Sequence, residues 1–323
     1  MRSFSYRLAA LAGGTALALS AAACGSSGST ATSAPSGTAA TTDGGTFPAS
    51  INTAIGVVHV KSRPTAIISL SPTATEMLYA IGAGRQVKAV DSDSDYPPQA
   101  PMTKLDALNP NLEAIVAYKP DLVVISNLSD SFDKLAKGLA GFSIPVLYLP
   151  APSGVTGVYS QFDELGRATG HLGQAEREDA TLRRQISQIV ASVPKHSQPL
   201  SYYYELDQTY YSVTSSTFVG SLLALLGMKS IADTASGAAS SGGYPQLSSE
   251  YIVKANPAYI ILADTVCCHQ DAATVAARSG WSSLTAVKAG HIIPLNDDIA
   301  SRWGPRIVDL LRTVATGITK GSG

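Results

Sequence analysis

One stretch of this sequence occurs twice, and the repetition constrains the fold more than any other feature. The first copy reads Glu113-Ala-Ile-Val-Ala-Tyr-Lys-Pro120-Asp-Leu-Val-Val-Ile-Ser126, and the second reads Glu250-Tyr-Ile-Val-Lys-Ala-Asn-Pro257-Ala-Tyr-Ile-Ile-Leu-Ala263. In each, a Glu opens a short helical pattern, Ile-Val follows at the same offset, and a Pro sits seven residues after the Glu. An apolar run of β type begins two residues beyond the Pro. Proline cannot continue a helix and biases the residue before it towards extended geometry, so each copy reads as helix, stop, buried strand. Two such units predict two lobes of similar design, each carrying a carboxylate at the same place. The competing reading is chance repetition of a helix–Pro–strand unit, and the shared Glu and Ile-Val weigh against it.

The rest of the chain has the same style. Ala66–Leu70, Val87–Val90 and Pro145–Leu149 read as strands in the first half, and Tyr202–Leu206 and His291–Leu295 in the second. Helical patterns lie between them, which implies βαβ units and mainly parallel sheets. Ser71 followed by Pro72 is a strong helix start. A helix over Val155–Leu165 is interrupted by Gly166, Gly170 and Gly173, and one continuous helix follows from about Gln174 to Val193. At 1.5 Å per residue it spans about 30 Å, a rigid spine between two halves. The expected fold class is α/β, with lobes at 54–154 and 195–323 joined through a helical linker at 155–194.

The N-terminus reads as a targeting segment. Arg2 and Arg7 precede an apolar run, Leu8 to Ala23, that is shorter than the roughly 20 residues a membrane span needs. It ends in Ala21-Ala22-Ala23-Cys24-Gly25, which resembles a bacterial lipobox with Cys24 as the lipidated residue. An ordinary signal peptide cleaved nearby is the alternative. Residues 25–53 are dominated by Ser, Thr, Ala and Gly, a composition that reads as a flexible tether. An exported protein, lipid-anchored at the outer face of the cytoplasmic membrane, is expected, with the anchor as its sole membrane contact.

Net charge is −1 over 323 residues, which argues against a nucleic-acid partner. The sequence lacks a Gly-x-Ser-x-Gly elbow, a P-loop, a His-Glu-x-x-His pair and a Gly-x-Gly-x-x-Gly after a strand. Its five histidines are scattered, so neither a resident metal nor a cofactor is expected. In an open parallel sheet, ligands bind beyond the carboxyl ends of the strands. Those ends fall at Ser71, Asp91–Tyr96, Ser126, Pro150–Ser153, Asp207–Tyr211, Ala263-Asp264 and Asn296–Asp298. Capping of the last helical segment is an equal reading of Asp297 and Asp298, and a solvated loop is an equal reading of Asp91–Asp95.

Cys267-Cys268-His269 stands apart. With Cys24 assigned to the lipid, two cysteines remain in an oxidising compartment. Adjacent Cα atoms are about 3.8 Å apart, below the usual disulfide span, so a vicinal bridge is tight, yet no other cysteine is available. It would stiffen the loop after the Tyr259–Leu262 strand. Ligation of a metal or haem by the thiols and His269 is the alternative.

Several segments together resemble the Fe/B12 periplasmic-binding family. They are Ser69-Leu70-Ser71-Pro72-Thr-Ala-Thr-Glu76, Asp95-Tyr96-Pro97-Pro98, Asn109-Pro-Asn-Leu-Glu113 with Lys119-Pro-Asp-Leu-Val, Tyr244-Pro-Gln, and Trp303-Gly-Pro-Arg306. The resemblance covers essentially the whole mature chain. It implies a class III binding protein: two Rossmann-like lobes joined by one long helix, with a metal chelate (ferric siderophore, haem or cobalamin) between them. It implies a monomer that works with an ABC permease and its ATPase, and a binder rather than an enzyme. Glu113 and Glu250 fall at the positions that dock onto permease arginines.

By the same resemblance Tyr96 and Asp298 sit where the chain parallels cobalamin-binding members, whose cobalamin-contacting Asp maps onto Asp298. Asp93, Ala107 and Ser126 replace pocket aromatics, a departure that counts against cobalamin. Asp106 belongs to the same expected ligand set, and Tyr244 keeps an aromatic. Arg302 is expected to face an anionic chelate and Arg306 to be structural, while Tyr210, Tyr211 and Trp303 would supply apolar walls. Two other readings stay open: a chelatase-like enzyme on the same architecture, and a surface sensor with no permease.

Overall fold

The computed structural model describes residues 45–126 and 130–321. These belong to one compact unit, Thr42–Gly323. Cys24, the signal segment and residues 25–44 lie outside the described residues.

The chain opens with an antiparallel hairpin of β1 (Ala49–Thr53) and β2 (Gly56–Val60). The tether expected to reach residue 53 therefore ends earlier. The reason is Ile51, an apolar residue in a polar run, which is 1% exposed and joins the core.

The first half continues with β3 (Ile67–Leu70), α1 (Pro72–Ala80), β4 (Val87–Asp91), β5 (Met102–Leu105), α2 (Leu112–Val116), β6 (Leu122–Ile125), α3 (Asp130–Gly141) and β7 (Val146–Tyr148). Its five strands are parallel in the order β5-β4-β3-β6-β7. Helices α4 (Val155–Thr169) and α5 (Leu172–Ser192) follow. The second half contains β8 (Leu200–Glu205), α6 (Phe218–Leu225), β9 (Met228–Ser230), α7 (Ser249–Ala255), β10 (Tyr259–Leu262), α8 (Ala272–Ala276), α9 (Thr285–Ala289), β11 (Ile292–Pro294), α10 (Asp297–Ser301) and α11 (Ile307–Gly321). Its four strands are parallel in the order β11-β10-β8-β9.

Both sheets reverse their strand order at one place. In the first, the chain builds outward from β3 through β4 and β5, then returns to add β6 on the other side. In the second it builds from β8 to β9, then returns to add β10. The crevices outside the carboxyl ends of β3/β6 and β8/β10 are thus the topological switch points, where open α/β sheets bind ligands.

The repeated stretch occupies matching places in this scheme. Asn111 caps α2 by accepting from the Ala114 amide, and Ser248 caps α7 by accepting from the Tyr251 amide. Glu113 and Glu250 are each the second residue of their helix. Ile115 and Ile252, two residues on, are fully buried. Strands β6 and β10 then pair with β3 and β8. One detail differs from expectation. The residues before the prolines, Lys119 and Asn256, are left-handed, with φ of 50° and 45°, rather than extended. Asn256 is the left-handed cap that ends α7, and Lys119 donates its amide back to the Val116 carbonyl just past α2, so these helix-end bonds override the preference of a pre-proline position.

The spine helix is longer than its sequence pattern. α4 runs through Gly166 and ends at Gly170, which is left-handed at φ 75°, while α5 begins at Leu172 and includes Gly173. Gly166 is a close-approach residue and not a break: a Cβ there would lie 2.7 Å from that of Ala175 on α5. The main core is continuous across both halves. It joins Ile67, Val90 and Val124 of the first sheet to Tyr202, Tyr204 and Ile261 of the second through Phe162 of α4, Leu182 and Ile186 of α5, and Leu311 of α11. Each sheet carries a second, smaller core on its outer face.

Candidate functional site: the carboxyl ends of the two sheets

Loops from the two halves meet around one arginine. Arg302, just after α10, is nearly buried, with 9% of its side chain exposed. Its Nη1 donates to Glu76 Oε1 at 3.1 Å, and its Nη2 donates to Asp298 Oδ1 at 2.6 Å and to the Asp93 carbonyl at 3.0 Å. Asp95 Oδ1 is 2.9 Å from the same Nη2. Arg306 adds two bonds to Glu76, Nε to Oε2 at 2.9 Å and Nη2 to Oε1 at 2.5 Å. Its guanidinium carbon lies 4.2 Å from the centroid of the Tyr96 ring. Three carboxylates and two guanidinium groups thus connect α1 and the β4–β5 loop to the segment between α10 and α11. Burial raises the Asp298 carboxyl above its usual range, and the Arg302 charge opposes that shift.

This arrangement changes the expected role of Arg302. A buried cation held by three carboxylates is not a waiting receptor for an anionic chelate, because an incoming anion must displace a partner first. Arg306 is held by Glu76 and lies over the Tyr96 ring.

The β4–β5 loop is held in place from below. Ser94 is fully buried, and its hydroxyl lies 3.0 Å from that of Thr75 on α1. Ser126, at the end of β6, donates to the Ser71 hydroxyl at 2.7 Å, and that hydroxyl accepts from the Ala74 amide to cap α1. Asp91, 1% exposed at the end of β4, is pushed up to about 6 by burial, against the lowering effect of Ser94. Asp93 and Tyr96 are exposed.

Other expected ligand residues have local partners. Asp106 accepts from the amides of Leu108 and Asn109 at 2.7 and 3.0 Å, a turn cap that holds its carboxyl below the usual range. Trp303 donates from Nε1 to Gln161 on α4 and packs on the main core, so its indole is committed to the interior side. Tyr211 and Tyr244 remain exposed at 41% and 43%, and a bridge from Tyr211 to Gln246 brings their two loops together.

Tyr210 lies elsewhere. Its ring stacks on Trp281 with centroids 5.7 Å apart, and it lines a surface pocket of about 640 Å³ with Ser249, Glu250, Val253 and Arg278. It therefore belongs beside Glu250 and not with Tyr96 and Asp298. Under it, the Arg278 guanidinium grips the fully buried Glu205 carboxylate with bonds of 2.5 and 2.6 Å. Asp264, also fully buried, sits against this pair; burial, with Glu205 beside it, raises its carboxyl to about 7. Glu113 and Glu250 are both exposed, and amide and Ser248 hydroxyl contacts hold Glu250 below the usual range.

Cys267 and Cys268 are joined as a vicinal disulfide. The loop that carries them is fastened to α10. Asp297 accepts from the Val266 and Cys267 amides at 2.9 and 2.7 Å, while Thr265 donates to the Leu295 carbonyl at 2.6 Å. Among the described residues no group of three or more His, Cys, Asp or Glu side chains is placed to hold a metal ion.

Sequence reasoning did not find the roles of Glu76, Asp95, Glu205 or Asp297. One signal was available for Glu76: it is the only charged residue of α1, and the buried face of that helix includes it. A charge on such a face requires a partner.

The family model described as Periplasmic binding protein matches residues 67–299. A relative from Bacillus subtilis (strain 168), named an uncharacterized ABC transporter substrate-binding lipoprotein, is 30% identical over 84% of this chain and 86% of its own length. The vitamin B12-binding protein of Pectobacterium atrosepticum is 31% identical over 76% of this chain and 85% of its own. A solved structure from Staphylococcus epidermidis ATCC 12228, described as a possible iron-binding (periplasmic solute-binding) protein, superposes with a TM-score of 0.67 at 28% identity, covering 80% of this chain and 99% of that one. Parallel sheets flanked by helices, the family-model match over residues 67–299 and relatives at 30% and 31% identity converge on one assignment: the chain belongs to the periplasmic binding protein family.

Proposed function

We propose that this chain is the solute-binding lipoprotein of an ABC importer. It captures a metal chelate (ferric siderophore, haem or corrinoid) at the paired carboxyl ends of its sheets and delivers it to a permease. The observation that carries the reading is the match between Glu113 and Glu250. Each is exposed and second in a helix that precedes the switch-point strand of its sheet. Two anionic posts at equivalent places suit a partner with two cationic sockets. The relatives' names support the class: one is a substrate-binding lipoprotein of an ABC transporter, and another binds vitamin B12.

Cys24 is the proposed anchor, holding the chain at the outer face of the membrane. Among the described residues no helix is long and apolar enough to cross a membrane. The working form is a monomer that carries its chelate as cargo, with no resident cofactor. Binding and transport are favoured over chelatase chemistry because the named family members are binding proteins.

The test is native mass spectrometry with absorbance on the soluble chain mixed with cyanocobalamin, haemin and a panel of ferric siderophores. Retention of one chelate at a one-to-one ratio is expected. Turnover of a tetrapyrrole, or no retention across the panel, overturns the reading.

A further inference from the structure

The vicinal disulfide has no part in the cross-chain cluster or the helix-start carboxylates, and its chemistry points to a task. A disulfide stabilises a fold mainly by closing a loop in the unfolded chain, and the effect grows with loop length. A bond between neighbouring residues closes the shortest ring available, so a fold staple is the use it serves least well. The loop is already fastened without it. Asp297 takes two of its amides, Thr265 ties to Leu295, and Gln270 donates to the Cys268 carbonyl at 3.1 Å while accepting from Arg278 at 2.7 Å.

What the bond does change is the surface at the loop tip. Two thiols become one compact, uncharged ring of polarisable atoms beside Val266, which is 57% exposed. Cys267 is exposed and Cys268 half-buried.

The position selects the occupant. The tip follows β10, the strand at which the second sheet reverses its order, so it stands at a switch-point crevice. Asp297 holds the tip, and its chain neighbour Asp298 holds Arg302 in the cross-chain cluster. One short helix, α10, therefore ties the disulfide loop to the cross-chain cluster. We propose that Val266 and the Cys267–Cys268 ring form a preorganised wall of the ligand site, and that this wall receives the flat face of a conjugated macrocycle around a metal, a corrin or a porphyrin. Divalent sulfur packs favourably against π systems, whereas a globular hydroxamate chelate offers it no such face. This inference rests on the transport reading and narrows its ligand class.

The experiment compares the wild-type chain with the C267S/C268S pair. Binding of cyanocobalamin, haemin and the linear hydroxamate chelate ferrioxamine is measured for each, together with Tm. The expected result is that the wild type retains a macrocycle and that the serine pair binds it about tenfold more weakly at an unchanged Tm. Equal binding by the two proteins overturns the inference, as does a fall in Tm that accounts for the loss, since the bond is then a staple. Retention of ferrioxamine alone leaves the transport reading standing and overturns the macrocycle wall. Retention of no probe by the wild type removes the transport reading's ligand class, and the inference falls with it.

Discussion

Arg302 and Glu76 lie 226 positions apart in the chain and meet at 3.1 Å, with neither side chain in solvent to any extent that matters. Among the described residues, Glu76 is the one carboxylate that pairs with both Arg302 and Arg306. Removing its charge leaves two partly buried guanidinium groups short of a partner, which is more damaging than removing a whole pair. Glu76→Gln should lower unfolding free energy by about 3–5 kcal/mol in urea titrations. A loss within experimental error would mean that solvent already compensates the two arginines.

Asp95 is the most exposed of the acids on Arg302, at 55% of its side chain. It is therefore the partner that an anionic ligand displaces most readily. Asp95→Asn should leave stability nearly unchanged and tighten binding of an anionic chelate such as haemin by about two- to fivefold at low ionic strength. The gain should vanish in high salt, where exposed charges are screened. Weaker binding would place Asp95 itself among the groups that contact ligand.

Asp264 predicts a pH signature. Its carboxyl is raised from 3.8 to about 7 in the folded chain, so the folded state holds a proton that the unfolded state has released. Stability linked to this group is complete below about pH 4 and declines as pH rises towards 7. Asp264→Asn removes the penalty. Relative to wild type it should gain about 2 kcal/mol at neutral or alkaline pH, and the gain should disappear in acid. Parallel Tm curves for the two proteins across this range would contradict the assignment.

Glu113 and Glu250 predict a separation of binding from delivery. Charge reversal to Lys at either position should abolish uptake by cells that carry the importer while leaving chelate affinity intact. Both residues are exposed helix-start acids, so each reversal should lower stability by less than about 1 kcal/mol. An unchanged uptake rate in the double reversal would remove the docking role.

The elements that were legible in the sequence are those whose signal is local. The repeated helix–Pro–strand unit showed in the spacing of Glu113, Pro120, Glu250 and Pro257, and it landed at equivalent places in two parallel sheets. The α1 start was visible as Ser71-Pro72. The left-handed turns at Lys119 and Asn256 were not, because a pre-proline preference points the other way and only the helix end overrules it. Strands β5 and β9 carry too few apolar residues to announce themselves; their pairing partners define them. The cluster around Arg302 was half legible. Asp298 and Arg302 are a helical turn apart in sequence, but Glu76 and Asp95 come from the other half of the chain, and only the fold brings them in. Tyr210 was misplaced because a strand-end position does not reveal which way a left-handed residue turns its ring, and φ there is 70°.

The shared core has a mechanical consequence. Phe162, Leu182, Ile186 and Leu311 belong to neither sheet alone, and they pack with strands of both. Swinging the sheets apart as two shells would strip apolar surface from these helices and would also break the bonds at Glu76. A carrier built this way works like a stiff pair of tongs joined at a solid bridge: thermal motion alone opens the jaws very little. On the proposed transport reading, release of cargo would then need an outside pull, and Glu113 and Glu250 are the proposed points where the transporter would apply it.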